Sequence, residues 1–268
     1  MVTLAFPPAS AMSETKHDTI RAYYRTLFSA WGRQHWWPAE SRLEVIVGAY
    51  LTQNTSWTNV EKALGNLRRA RLLTISGIRR TPQPELEQLI RSAGYFRQKA
   101  QRLKTFVSFL DERYGGSLTK MFTRPTADLR GELLALNGVG PETADSILLY
   151  AGNLPVFVVD AYTRRVLERH QIVSSAASYD EIRQLFEHAL AAERLPEIET
   201  EAGAAKPSIG PQGSCHRPSR VSAAERTPLV QTLNEMHGLI VGVGKTFCLK
   251  SQPQCELCPL QKFLPASK

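Results

Sequence analysis

The rhythm of apolar residues constrains this chain more than any other feature of its sequence. Ala100, Leu103, Phe106, Val107 and Leu110 recur at the three- and four-residue steps of one helix face, as do Ile182, Leu185, Phe186, Ala189 and Leu190. Similar patterns run over 17–31, 41–53, 57–70, 84–93, 125–136, 140–151, 160–169 and 228–245, and no stretch sustains period-two alternation. A helix buries a stripe and a strand buries every second residue, so this rhythm predicts an all-α protein. Ser178 with Glu181 three residues on forms a capping box and predicts the start of one of these helices.

With 268 residues, 43% of them hydrophobic and 22% charged, the chain can bury a core, which excludes disorder along its whole length. No apolar run reaches the ~20 residues of a membrane-spanning helix. The stretch before Met12 has neither a basic start nor a long apolar segment, so a cytoplasmic or nucleoid location is expected. Lys and Arg outnumber Asp and Glu by 33 to 25, a net charge of +8 that suits a polyanionic partner. Four cysteines in a chain read as unexported point to metal rather than to disulfides. Residues 1–15 read as a flexible tail and 197–227, rich in Gly, Ala, Ser and Pro, as a disordered insertion that carries Cys215 as a loop thiol.

The most informative stretch is Leu136-Asn137-Gly138-Val139-Gly140-Pro141-Glu142-Thr143-Ala144. Two glycines around a valine permit a tight turn with positive φ and close backbone approach, and Pro141 suits the first position of the next helix. Such a turn presents backbone N–H groups to an anion such as a phosphodiester. Beyond it come a helix, the apolar run Leu154 to Val159, and Asp160 at the head of a helix that it is placed to cap.

The string LNGVGPETADSILLYAGNLPVFVVDAYTRRVL resembles the helix–hairpin–helix and Gly/Pro…Asp signature of the endonuclease III superfamily of DNA glycosylases. Ala93-Gly94-Tyr95-Phe96-Arg97-Gln98-Lys99-Ala100 resembles the turn upstream of it in that superfamily, and Val47 to Ala63 resembles the helix–loop–helix that enters DNA. The resemblance implies two helical domains. One is a six-helix barrel over 41–152 that carries the hairpin, and the other is built from both chain ends, 16–40 and 153–268. It also implies a monomeric enzyme whose partner is damaged double-stranded DNA.

On this resemblance Asp160 is the catalytic carboxylate, stabilising positive charge on the deoxyribose or activating the attacking water. Gly138, Val139, Gly140 and Thr143 bind the DNA backbone, and Gln53 or Asn54 fills the gap left by a flipped base. Bifunctional members carry a lysine two residues after the second hairpin glycine, where this chain has Glu142. A carboxylate forms no Schiff base, so a monofunctional glycosylase is expected. Trp36, Trp37, Pro38 and Trp57 resemble the aromatic box of the 3-methyladenine branch, with Glu142 a further base-pocket candidate; π faces attract the cationic alkylated purine. A bifunctional glycosylase for oxidised pyrimidines and a non-catalytic helix–hairpin–helix DNA-binding protein stand as alternatives.

Cys248, Cys255 and Cys258 reproduce the first three ligands of the family's [4Fe–4S] loop, but Leu264 stands at the fourth position. Either a cluster completed by another ligand or a loop that has lost its metal fits this pattern. Cys215 and His237 are the alternative ligands, for iron or for zinc.

Overall fold

The computed structural model describes residues 9–191, 193 and 218–265, with side chains from Thr15 onward. Every regular element among them is helical: α1 (Ala9–Trp31), α2 (Arg42–Leu51), α3 (Trp57–Arg69), α4 (Ile75–Arg80), α5 (Gln83–Leu89), α6 (Phe96–Tyr114), α7 (Leu118–Met121), α8 (Thr126–Leu134), α9 (Pro141–Ser146), α10 (Ala161–Arg169), α11 (Tyr179–Leu190) and α12 (Pro228–Thr246). The chain is all-α, as the apolar rhythm predicted. No described helix is long and apolar enough to cross a membrane.

The chain forms two compact units. The first comprises Met1–Trp36, Pro155–Pro218 and Glu225–Lys268, so that both chain ends contribute to it. Within it α1 packs on α11 and α12, and α12 also packs on α10. Phe157 and Phe186 stack at its centre, ring centroids 4.0 Å apart and nearly parallel. The start of α11 is set by Ser178 and Glu181, each side chain accepting from the other's backbone N–H at 3.2 and 2.6 Å.

The second unit comprises Trp37–Leu154 with Ser219–Ala224 and is built around α2. Leu43 through Leu51 are all buried, and helices α3, α6 and α9 pack against α2. A mostly apolar helix buried along nearly its whole length belongs at the centre of its unit. Ser41 caps it by accepting from the Glu44 N–H at 3.1 Å. The Lys99 ammonium, buried inside this unit, donates to the carbonyls of Leu51 at 3.0 Å and Ala93 at 2.7 Å, so it ties the end of α2 to the turn before α6.

Four boundaries differ from expectation, the smallest being that residues 153–154 fall in the second unit and not with the chain ends. α1 begins at Ala9, so much of the expected tail 1–15 is helical, while residues 1–8 lie outside the described residues. Residues 218–227 are ordered: Val221 and Ser222 are buried, the Val221 N–H donates to the Ala39 carbonyl at 3.1 Å, and the Ala39 N–H donates to the Ser219 hydroxyl at 3.1 Å. Serine hydroxyls that read as signs of disorder here build a turn. This pairing also puts residues 37–40 in the second unit, not with the chain ends as expected. The remainder of the expected insertion, 197–217 with Cys215, lies outside the described residues.

Candidate active site

The hairpin lies between α8 and α9 in the second unit. Gly138 takes φ +78, the left-handed conformation that the sequence permitted, whereas Gly140 is extended at φ −90. A β-carbon on Gly140 would meet nothing within 4 Å, so its face of the backbone is open. Val139 is buried and its N–H donates to the Leu136 carbonyl at 3.1 Å, which closes the turn. α9 passes into a π-helical turn at Ile147–Ala151, and the fully buried Asp145 is gripped by Arg130 at 2.7 and 3.1 Å. The hairpin is thus seated on a buried ion pair, where loss of either partner would leave a costly charge.

Gln53, expected at the vacated base position, is joined to the hairpin. Its Nε2 donates to the Gly138 carbonyl at 3.0 Å and the Thr143 hydroxyl at 2.9 Å, and Arg102 donates to its Oε1 at 2.6 Å. Arg102 was not singled out from the sequence; only its place on the polar side of α6 hinted at it. Asn54 is exposed at the turn after α2, with φ +53, a conformation that Asn tolerates. Arg68, near the end of α3, is salt-bridged to Glu44.

Of the aromatic candidates, Trp37 and Trp57 meet edge to face with centroids 5.2 Å apart, and the Tyr150 ring lies 5.4 Å from Trp37. Trp37 is buried against the backbone of Gly48, where a β-carbon would approach its ring to 3.1 Å, and Trp57 is half-exposed. Trp36 is buried in the first unit, and the Lys245 ammonium lies 5.3 Å from the centre of its ring. Pro38 is half-buried and Glu142 is exposed in the first turn of α9.

Asp160 caps α10 in the first unit, its Oδ1 accepting from the Thr163 N–H at 2.7 Å. Its Oδ2 lies 3.6 Å from Nε2 of His237 on α12, and its side chain is 13% exposed. Burial works to raise its pKa, but the neighbouring His237 and the Thr163 N–H outweigh burial and hold the carboxyl below the ordinary carboxylate range. One carboxylate oxygen thus serves the helix, and the other lies toward His237.

Cys248, Cys255 and Cys258 line one small cavity with Arg169, His170 and Leu264. Burial, aided by the two neighbouring thiols, pushes the Cys258 thiol up despite a hydrogen bond from the Leu260 backbone. Arg169 donates to Cys248 Sγ at 3.3 Å. His170 is no fourth ligand, because its Nδ1 lies 2.6 Å from the Tyr23 hydroxyl and the Phe263 backbone takes a second hydrogen bond. Nor is His237, which stands at Asp160. Among the described residues no group of three or more His, Cys, Asp or Glu is arranged to hold a metal ion. The three described thiols and a leucine do not by themselves make the donor set of a four-thiolate cluster, and Cys215 lies outside the described residues.

Comparison with known proteins places the chain among the DNA glycosylases of base excision repair. Residues 47–192 match the HhH-GPD superfamily of base excision DNA repair proteins, and the chain belongs to that family. A putative DNA repair glycosylase of Methanocaldococcus jannaschii is 40% identical over 253 residues, 94% of this chain and 98% of that protein. Endonuclease III-like protein 1 of Bos taurus is 26% identical over 86% of this chain, which spans 61% of that relative. H. pylori 3-methyladenine DNA glycosylase (MagIII), solved bound to 1,N6-ethenoadenine, is similar at a TM-score of 0.64 and 25% identity, over 86% of this chain and 97% of that one. A trapped endonuclease III–DNA covalent intermediate is similar in fold at 0.64 and 22% identity, over 92% and 95%.

Proposed function

We propose that this glycosylase releases N-alkylated purines of the 3-methyladenine type from duplex DNA and stops at an abasic site. The observation that carries the reading is Glu142: it occupies the first turn of α9, where the bifunctional pattern has its lysine, and no lysine lies between Asn137 and Tyr162. An attacking amine is needed for the iminium that precedes strand cleavage, and a carboxylate does not supply one. The Trp37–Trp57 pair supports the choice of base, because a cationic purine is attracted to a π face. The likeness to MagIII supports it as well. In this reading the bond from the sugar C1′ to the purine nitrogen breaks, water oxygen bonds to C1′, and the ionised Asp160 stabilises the sugar cation between those events and takes the water's proton.

The test is incubation with a duplex that contains 3-methyladenine. Free base should appear, strand scission should follow only on alkali treatment, and borohydride should trap no protein–DNA adduct. Trp57→Ala should slow release roughly 5- to 200-fold, the loss of ~1–3 kcal/mol of stacking. A trapped adduct, with cleavage at thymine glycol and no release of alkylated purines, would establish the bifunctional reading instead. Tight duplex binding with no base released from any lesion would leave a DNA-binding protein.

A further inference from the structure

The reaction has so far needed one residue of the first unit, and α12 brings a second to the same place. α10 and α12 are held in register by close contacts: a β-carbon on Gly244 would lie 2.4 Å from the Tyr162 ring, and Arg165 on α10 donates to the carbonyls of Gly244 at 2.8 Å and Cys248 at 2.7 Å. His237 precedes Gly244 by about two helical turns and therefore shares its face of α12, as Asp160 precedes Tyr162 at the head of α10. The register that seats Tyr162 on Gly244 puts the imidazole opposite the carboxylate, with His237 Nε2 3.6 Å from Asp160 Oδ2. The imidazole is only 6% exposed, and the edge contact of Phe157, 6.0 Å between centroids at 79°, braces its ring.

We propose that His237 is a positioning residue for Asp160, holding Oδ2 from α12 while the Thr163 N–H holds Oδ1 from α10, so that the carboxylate meets the sugar in one orientation and ionised. The proposal rests on Asp160 being the catalytic carboxylate. Its physical need is plain, because a carboxylate inside a protein is disfavoured as an anion unless a donor or a cation faces it. Burial alone would move the Asp160 carboxyl up, and His237 is the largest influence in the other direction. Among the described residues, the other ionisable group coupled to Asp160 is Tyr162 on α10, whose phenol is raised by burial and by the Asp160 charge; Arg165 is turned to the α12 carbonyls.

The signs follow directly. A carboxyl held low is ionised down to acid pH, so taking away His237 moves its protonation to higher pH and carries the acid limb of the rate profile with it. Single-turnover release of 3-methyladenine should be measured against pH for the unaltered protein, His237→Ala and His237→Gln. His237→Ala should lose about 10- to 100-fold in maximal rate, with duplex affinity unchanged and the acid limb displaced upward. His237→Gln, which offers an amide N–H to Oδ2, should recover most of the rate with a limb between the other two, and it carries the test should the alanine variant not fold. An acid limb at the same pH in all three proteins, or rates that fall equally in both variants with the limb unmoved, would overturn the proposal. Asp160→Asn separates the two readings. If that variant releases base at the unaltered rate, the catalytic assignment of Asp160 fails on its own. The pairing is judged independently, without DNA, by the carboxyl carbon resonance of Asp160: its titration moves to higher pH in the histidine variants if His237 holds it, and stays in place if not.

Discussion

Gly138 and Arg102 stand so close that a β-carbon on the glycine would lie 2.0 Å from the arginine Nε. The hairpin has two separate reasons for a glycine there, the positive φ of the turn and the guanidinium that lies over it. Gly138→Val should strain the backbone and displace Arg102 together. Fluorescence anisotropy with labelled duplexes should show affinity falling about tenfold or more, the equivalent of ~1–3 kcal/mol of strain, and equally for damaged and undamaged DNA. A loss confined to the damaged duplex would contradict a backbone-binding hairpin.

Gln53 and Asn54 separate in the same assay. Gln53→Ala breaks the hydrogen bonds to Gly138, Thr143 and Arg102, so it should weaken binding to both duplexes and lower thermal stability by about 1–2 kcal/mol. Asn54→Ala should leave stability alone and reduce base release from a fully paired lesion more than from a mismatched one, because extrusion of an unpaired base needs less help. Equal behaviour of the two variants would deny the division of labour.

Lys99 gives the protein a pH dependence that can be read without DNA. Burial first, and then the charge of Arg102, lower its pKa from 10.5 to about 8. Between those values the unfolded chain binds more protons than the folded one, so stability should rise with pH from about 8 towards 10.5. The window is best read below pH 10, since burial raises the phenols of Tyr23, Tyr24 and Tyr50 and they act in the opposite direction above it. Urea titrations of Lys99→Met should show about 2–4 kcal/mol less stability at neutral pH, from two buried carbonyls left without their donor, and no rise across the window.

The cysteine loop predicts its own repair. Iron analysis after anaerobic purification should find the unaltered protein short of four irons per chain, whereas Leu264→Cys should turn brown and hold a full [4Fe–4S] complement, with Cys255→Ser abolishing it. Four irons in the unaltered protein, unaffected by Cys255→Ser, would place the metal elsewhere.

Much of this was legible in the sequence where local rules and tertiary packing agree. The long helices lie where the apolar rhythm puts them, and Asp160 caps the helix it was expected to cap. The short helices α4 and α7 were missed because a helix of one or two turns carries too few apolar positions to show a period. Their caps were readable all the same, for Thr74 accepts from the Gly77 N–H and Ser117 from the Lys120 N–H. The partners of Gln53 were not readable, since Gly138 is 85 residues away and Thr143 is 90, and no local pattern reports such pairings. His237 entered the sequence reading as a spare metal ligand, and only the register of α12 on α10 takes it to Asp160 instead.

The pairing of Ser219 and Val221 with Ala39 has a consequence for how the protein is made. Residues about 180 positions apart close a unit whose other residues end at Leu154. A ribosome emits the chain from its amino end, so every helix of that unit is outside the exit tunnel long before its last piece. Until Ser219–Ala224 follows, the backbone N–H and carbonyl of Ala39 have no chain partner there, and an N-terminal fragment ending after Leu154 carries the same defect permanently. The hairpin-bearing unit of this enzyme is therefore completed only when residues 219–224 have emerged, late in synthesis.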